Sequence, residues 1–292
     1  MIFSQLLANG IIAGSLYALI AVGFSLIYTT NRFLHFAHGS VAIAGGYMLY
    51  TLFDLWGVNF YLSAVLVVVL TGLLGCLLFA AVYRPLQKKK SASTILLIAG
   101  LGLLLLLENI ISLIFGADVK TIDFLTVAEG RQIWGAYITP LQMVIVGTSV
   151  VFLGLVSIFI YKTKIGKIIR AVADNPELAS VTGIAITRIQ YLGFFIGSAL
   201  SGVAGILIAL EQNIEPSQGV YLMIKGFTGA VIGGVSSIPG ALLGSYVLGL
   251  VENFGIWYLP SQFKDAIAFG FLLLFLLLRP YGILGINKGT RQ

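Results

Sequence analysis

The chain has 292 residues, 59% hydrophobic and only 10% charged, where an ordinary soluble domain carries about 25% charged residues. Its 17 basic and 11 acidic residues are too few to clothe a water-soluble fold of that length, and the apolar content excludes disorder. The single cysteine, Cys76, excludes a disulfide framework and a cysteine-ligated metal site.

A membrane-spanning helix needs about 20 apolar residues. Met1 to Ser4 carry no basic n-region, so the opening apolar run at 5–28 reads as a span and not as a leader. Further spans are predicted at 60–83, 92–115, 140–161, 189–210, 240–259 and 263–278. Two shorter stretches, 38–55 and 220–235, are interrupted by glycine. The first holds Gly39, Gly45 and Gly46, the second Gly226, Gly229, Gly233 and Gly234. Each reads as a short span or as a helix broken at membrane depth. The expected fold is all-α, one polytopic transmembrane domain over 1–292 with about 8–9 membrane segments.

Lysine and arginine favour the cytoplasmic side of a membrane protein. Thirteen of the 17 basic residues fall in four places. These are Arg32, the run Arg84, Lys88, Lys89 and Lys90, the loop 162–188, and the tail with Arg279, Lys288 and Arg291. The other connections are read as holding Lys120, Arg131, Lys225 and Lys264 with most of the acids: Asp54, Asp118, Asp123, Glu129, Glu211, Glu215 and Asp265. The basic loops and the C-terminus are therefore expected in the cytoplasm. The net charge of +6 reads as this bias and not as a nucleic-acid surface. Nine crossings would put the N-terminus outside; a re-entrant short segment would move it.

The order of segments recurs. A small-residue span with Gly10, Ala13, Gly14 and Ser15 precedes the first short segment, and two long spans follow. A small-residue span with Gly197, Ser198, Ser201 and Gly202 precedes the second, and two spans follow again. The repeats, about 5–116 and 189–279, would be inverted about the connecting span 140–161, the usual construction of transport proteins. Short Gly-interrupted segments at matching positions point to a translocation pathway, with His38, Gly39, Gly45, Gly46, Lys225, Gly233 and Gly234 beside it. Close helix packing explains the same small residues.

In the loop 162–188, Asn175-Pro176-Glu177 is a helix start: an N-cap, proline at N1 and an acid in the first turn. Gly183 is placed to close that helix at C′. A short helix at 176–182 with Ala179 and Val181 on it is more apolar than solvation requires, so it is a docking element or an amphipathic connector. Glu108-Asn109 and Glu252-Asn253 are polar pairs inside spans, fit for a proton relay or for helix pairing. His35 and His38 have no Asp, Glu or Cys beside them and make a poor metal site. No nucleophile-and-base or metalloprotease signature occurs, and Gly166-Lys167-Ile168 lacks the rest of a Walker A loop.

Several motifs resemble the membrane permease subunits of branched-chain amino acid ABC importers, the LivH type. They are Phe36-Ala37-His38-Gly39, then Arg84-Pro85-Leu86, then Arg170-Ala171-Val172-Ala173 with Asn175-Pro176-Glu177 and Gly183-Ile184. Gly233-Gly234 with Ser237-Ile238-Pro239-Gly240-Ala241, Lys264-Asp265-Ala266, and Arg279-Pro280 with Gly282 complete the series. They run in order from about residue 10 to residue 285. The chain departs from the family at His35, Ser40 and Glu108, where members usually carry Asn, an acid and often Gln.

The resemblance implies a permease that is not itself an enzyme and needs no cofactor of its own. A second, homologous permease chain would pair with it, most often as a heterodimer. Two cytoplasmic ATPases would hold the ATP and magnesium, and an extracytoplasmic binding protein would deliver the amino acid. The helix at 176–182 would couple to the ATPases, with Lys167, Arg170 and Ala171 at the docking surface or on membrane lipid. The location implied is the cell inner membrane. The alternatives are a permease for urea or short amides of the same superfamily, an ion-coupled carrier using Glu108 and Glu252, or a membrane-embedded enzyme.

Overall fold

The computed structural model describes residues 2–122, 124 and 129–285. Asp123 and the tail residues Lys288 and Arg291 lie outside the described residues. The long helices are α1 (Ile2–Asn31), α5 (Ser93–Phe115), α6 (Pro140–Lys162) and α9 (Ile186–Gln212). To these is added the continuous rod Phe60–Lys88, made of α3 (Phe60–Leu78), a π-helical turn (Phe79–Tyr83) and α4 (Arg84–Lys88). Shorter helices are α2 (His38–Tyr50), α7 (Lys164–Asp174), α8 (Pro176–Val181), α10 (Gln218–Gly233), α11 (Ile238–Gly255) and α12 (Lys264–Leu278). The protein is an all-α, multi-pass membrane bundle. Its one small sheet among the described residues pairs Arg131–Ile133 with Ala136–Ile138.

Helices α1 and α9 are buried on nearly all sides, while α3, α5 and α6 present most of their surface outward. Small residues put the two central helices together. A methyl on either Gly23 or Gly197 would sit 2.7 Å from the other's carbonyl oxygen, so only glycine permits that crossing. Around this pair the packing is reciprocal. Helix α1 lies on α11 as α9 lies on α3, α10 lies on α1 as α2 lies on α9, and α2 and α10 lie on each other.

Both α2 and α10 start at mid-depth. The imidazole of His38 is 3.2 Å from the Ile20 carbonyl inside α1, and the Ser201 hydroxyl donates to the His38 carbonyl at 2.8 Å from inside α9. Gly219 lies against Ser40, whose hydroxyl donates to the Leu104 carbonyl, half-way along α5, at 3.3 Å. The chain therefore turns back into the bundle through 32–37 after α1 and through 213–217 after α9 before each half-helix begins.

Two expectations need correction. First, the short segment 38–55 is not broken at its internal glycines. Helix α2 runs unbroken through Gly39, Gly45 and Gly46 into a π-helical turn at Thr51–Leu55. A Cβ on Gly45 would come within 3.1 Å of Gly202 Cα, and one on Gly46 within 3.3 Å of the Gly205 carbonyl, so these glycines serve close approach of α9. Helix α10 likewise runs through Gly226 and Gly229; its break comes at Gly234, whose φ of +106° turns the chain by 116° into α11. By length and apolar character, five helices qualify to cross a membrane, and the bent α10–α11 pair counts as a sixth. Helix α12, at 15 residues, is too short by that measure. Second, the loop 162–188 holds two helices instead of one. Gly166, Ile169 and Val172 form the buried stripe of the unpredicted α7.

The basic segments do gather at one end. A cleft of about 590 Å³ there is lined by Tyr28, Arg32, Arg170, Ser237 and Tyr281. The Arg32 guanidinium donates to the Ala173 carbonyl, and to that of Asp174 at 3.4 Å, at the C-terminal end of α7. At the opposite end, Gln5 exchanges hydrogen bonds with the backbone of Tyr137 at 3.0 and 2.8 Å, and Gln142 donates to Glu211 at 3.0 Å.

Candidate functional site

The half-helices meet at their N-termini. A side chain on Gly39 would run into the Gly219 carbonyl and would come within 2.7 Å of the Met223 amide, so the centre of the chain is closed there. Glu108 stands beside this contact. Its Oε1 accepts from the Val220 amide at 3.0 Å, satisfying one of the donors that every helix leaves unpaired in its first turn. Asn109 is exposed and donates to the Leu105 carbonyl of its own helix at 2.7 Å. His35 Nδ1 lies 2.8 Å from the Tyr83 hydroxyl, and the His35 and His38 rings are 6.0 Å apart, both fully buried. Among the described residues no group of three or more possible metal ligands exists.

Lys225 is the largest surprise. It is not in a connection but in the middle of α10, and it is 1% exposed. Its Nζ is 2.6 Å from Glu252 of α11 and 2.7 Å from Asp265 of α12. The Tyr17 hydroxyl of α1 donates to the other Glu252 oxygen at 3.0 Å, and the ammonium stands 5.0 Å from the centre of the Tyr221 ring. Four helices are thereby tied at one point. A buried charge must be paired, and Glu252, 0% exposed, is paired twice. Asp265 differs, because its side chain is 56% exposed. The signal for Lys225 was its flanks, Leu222-Met223-Ile224 and Gly226-Phe227, which leave no room for a loop. Nothing local pointed to Tyr17 or Asp265 as its neighbours.

Gly233 and Gly234 serve the α10–α11 corner. A Cβ on Gly233 would strike the backbone of Gly240, so these two residues set a turn.

At the basic end, α7 and α8 form a step. The Thr163 side chain caps α7 by accepting from the Gly166 amide at 3.0 Å. Asn175 caps α8, accepting from the Leu178 amide at 3.0 Å, with Pro176 at N1 and Glu177 exposed in the first turn. Gly183, at φ +85°, closes α8 as expected. Its amide donates to Ser180 and that of Ile184 to Ala179, which is a Schellman ending. Lys167 and Ala171 are exposed; Arg170 lies 5.1 Å over the Tyr161 ring. Ala179 faces inward at 5% exposure, so it anchors α8 to the bundle and is not on its outer face. The apolar groups that α8 shows to solvent are Leu178 and Val181, 63% and 83% exposed.

A bundle of this kind, with paired half-helices starting at mid-depth and an ion cluster inside it, is the frame of a membrane transport protein. The family model described as "Branched-chain amino acid transport system / permease component" matches residues 6–277, and the chain belongs to that family. It is 36% identical to the high-affinity branched-chain amino acid transport system permease protein BraD of Pseudomonas aeruginosa, over 97% of this chain and 96% of that one. It is 33% identical to LivH of Escherichia coli, over 97% and 96% of the two chains. It is also 33% identical to the probable LivH permease of Methanocaldococcus jannaschii, over 97% and 93%. Among solved structures, PsaBC from Streptococcus pneumoniae in complex with Fab shares the fold, with a TM-score of 0.52 at 15% identity over 94% of this chain and 91% of that one.

Proposed function

We propose that this chain is the membrane permease of an ATP-driven importer that carries branched-chain or other hydrophobic amino acids. The observation that carries the reading is similarity over nearly the whole chain to permeases named for that substrate class. In this reading the basic end is cytoplasmic, because positive residues are retained there, and the membrane is the cell's inner one. The C-terminus, following Arg279 at that end, is cytoplasmic too. The reciprocal helix pairing supports two halves of opposite orientation, about 5–116 and 189–279.

The partners are a second, homologous permease chain in a heterodimer, two ATPases beneath the basic end, and an extracytoplasmic binding protein at the opposite end. ATP and magnesium are bound by the ATPases. Helix α8 is the coupling element, held in place by Asn175, Ala179 and Gly183 and offering Leu178 and Val181 to the ATPase. The ion-coupled reading leaned on Glu108 and Glu252; both have structural partners, in the α10 amide and in Lys225.

The test is reconstitution. The chain is expressed with the proteins encoded beside it, purified, and placed in vesicles with radiolabelled leucine. Uptake that needs both internal ATP and the binding protein is expected. Uptake that persists without ATP and follows a proton gradient would overturn the proposal.

A further inference from the structure

The contact of Gly39 with Gly219 closes the point where α2 meets α10 at the centre of the described bundle, which favours a substrate route over one of the chain's faces. Most outward surface is what lipid requires. On α6, Val151 and Leu155 are each 56% exposed among other aliphatic residues. One face is different. Helix α10 begins at mid-depth after the non-helical segment 213–217, in which Asn213 and Ser217 are exposed. Irregular backbone there is stable only against protein or water, because lipid offers its amides no partner; Ile214 is paired by protein, exchanging backbone hydrogen bonds with Lys120 at 3.0 and 2.9 Å, whereas Asn213 and Ser217 are left to the open side. Glu108 and exposed Asn109 border this start on one side. Two turns further along α10, Asp265 meets Lys225 and keeps a half-exposed carboxylate. A carboxylate facing lipid costs several kcal/mol.

Between these borders α10 turns a single stripe outward. Val220, Ile224, Phe227 and Val231 recur at the helical spacing, and each is at least partly exposed. The neighbouring ion cluster has one ammonium, Lys225, for two carboxylates. Glu252 is sealed inside, so of the two carboxylates only Asp265 is accessible, and it is held at Lys225, the residue after Ile224 in the chain.

Building on the function proposed above, we infer that the Val220–Ile224–Phe227 stripe with Asp265 is the pathway wall of this chain. The apolar stripe takes the aliphatic side chain of a passing zwitterion, and Asp265 faces its ammonium. The opposite wall is the second permease chain, since among the described residues Phe24 and Phe36 only flank Phe227, while Val220 stays exposed and Ile224 partly so.

The experiment is cysteine accessibility in the assembled complex, in vesicles, after Cys76→Ser removes the native thiol. Val220→Cys, Ile224→Cys and Phe227→Cys are expected to react with membrane-impermeant methanethiosulfonates at least tenfold faster than Val151→Cys and Leu155→Cys. Leucine-loaded binding protein with ATP should slow them. Ile224→Cys should favour the cationic over the anionic reagent by severalfold, and Asp265→Asn should erase that preference. Stripe cysteines as inert as the α6 controls would overturn the wall, and an unchanged reagent preference in Asp265→Asn would overturn the role of its charge. Reactive stripe cysteines in a complex that moves no hydrophobic amino acid would leave the wall standing and remove the substrate reading instead.

Discussion

Replacing Lys225 by methionine tests the ion cluster directly. The substitution keeps the length of the side chain and removes its charge. Glu252, 0% exposed, would then keep only the Tyr17 hydroxyl at 3.0 Å as a partner. Stranding one member of a buried pair costs about 3–5 kcal/mol. Glu252→Gln should cost less, about 1–2 kcal/mol, because Lys225 retains Asp265 at 2.7 Å. Lys225→Met with Glu252→Leu removes both buried charges and leaves Asp265 to the water that already reaches it. Such replacements of a whole buried pair are often close to neutral. The order of stability is therefore wild type, then the double variant and Glu252→Gln, then Lys225→Met. Unfolding of the purified chain by sodium dodecyl sulfate, followed by circular dichroism, reads this order. A double variant less stable than Lys225→Met, with the two losses simply adding, would refute the pairing.

Leu178→Asp combined with Val181→Asp should leave stability within about 0.5 kcal/mol, since both side chains are exposed, yet abolish ATP hydrolysis stimulated by the binding protein. Normal hydrolysis in that variant would remove α8 from the coupling path. Ala179→Asp should act differently: it buries an unpaired carboxylate at a site 5% exposed and should cut the yield of folded protein, visible by size exclusion. Asn175→Ala should cost about 1 kcal/mol of local helix stability and speed amide exchange in α8, while Asn175→Asp retains the cap; equal exchange in both would contradict the capping role. Gly197→Leu should prevent the crossing of α1 and α9 and abolish folding, whereas Gly154→Ala, with nothing within 4 Å, should unfold no earlier than wild type.

The residues that could be placed from the sequence are those whose signal is local. Continuous apolar runs located every membrane helix to within a few residues, because a span must satisfy its own backbone and be apolar along its length. Asn175, Pro176 and Gly183 announced α8 for the same reason, since a cap and a stop act over single turns. The clustering of basic residues at one end was also legible, because that bias is written per connection.

Residues whose role depends on a neighbour distant in the chain were not legible. Gly45 and Gly46 look like breaks until Gly202 and Gly205 are seen across from them. Lys225 reads as a loop residue until Glu252 and Asp265 are brought to it, 27 and 40 positions away in sequence. Ala179 and Leu178 cannot be assigned to the inner and outer faces of so short a helix without the bundle it rests on. Even the α10 stripe needs the tertiary fold, since the pattern of one apolar helix does not say whether its free side meets lipid, protein or water. Composition, periodicity and cap residues therefore determined a membrane bundle with a short capped helix at its basic end. Only packing decided which glycines are contacts, which charges are paired and which face is left open, because each of those depends on what lies opposite.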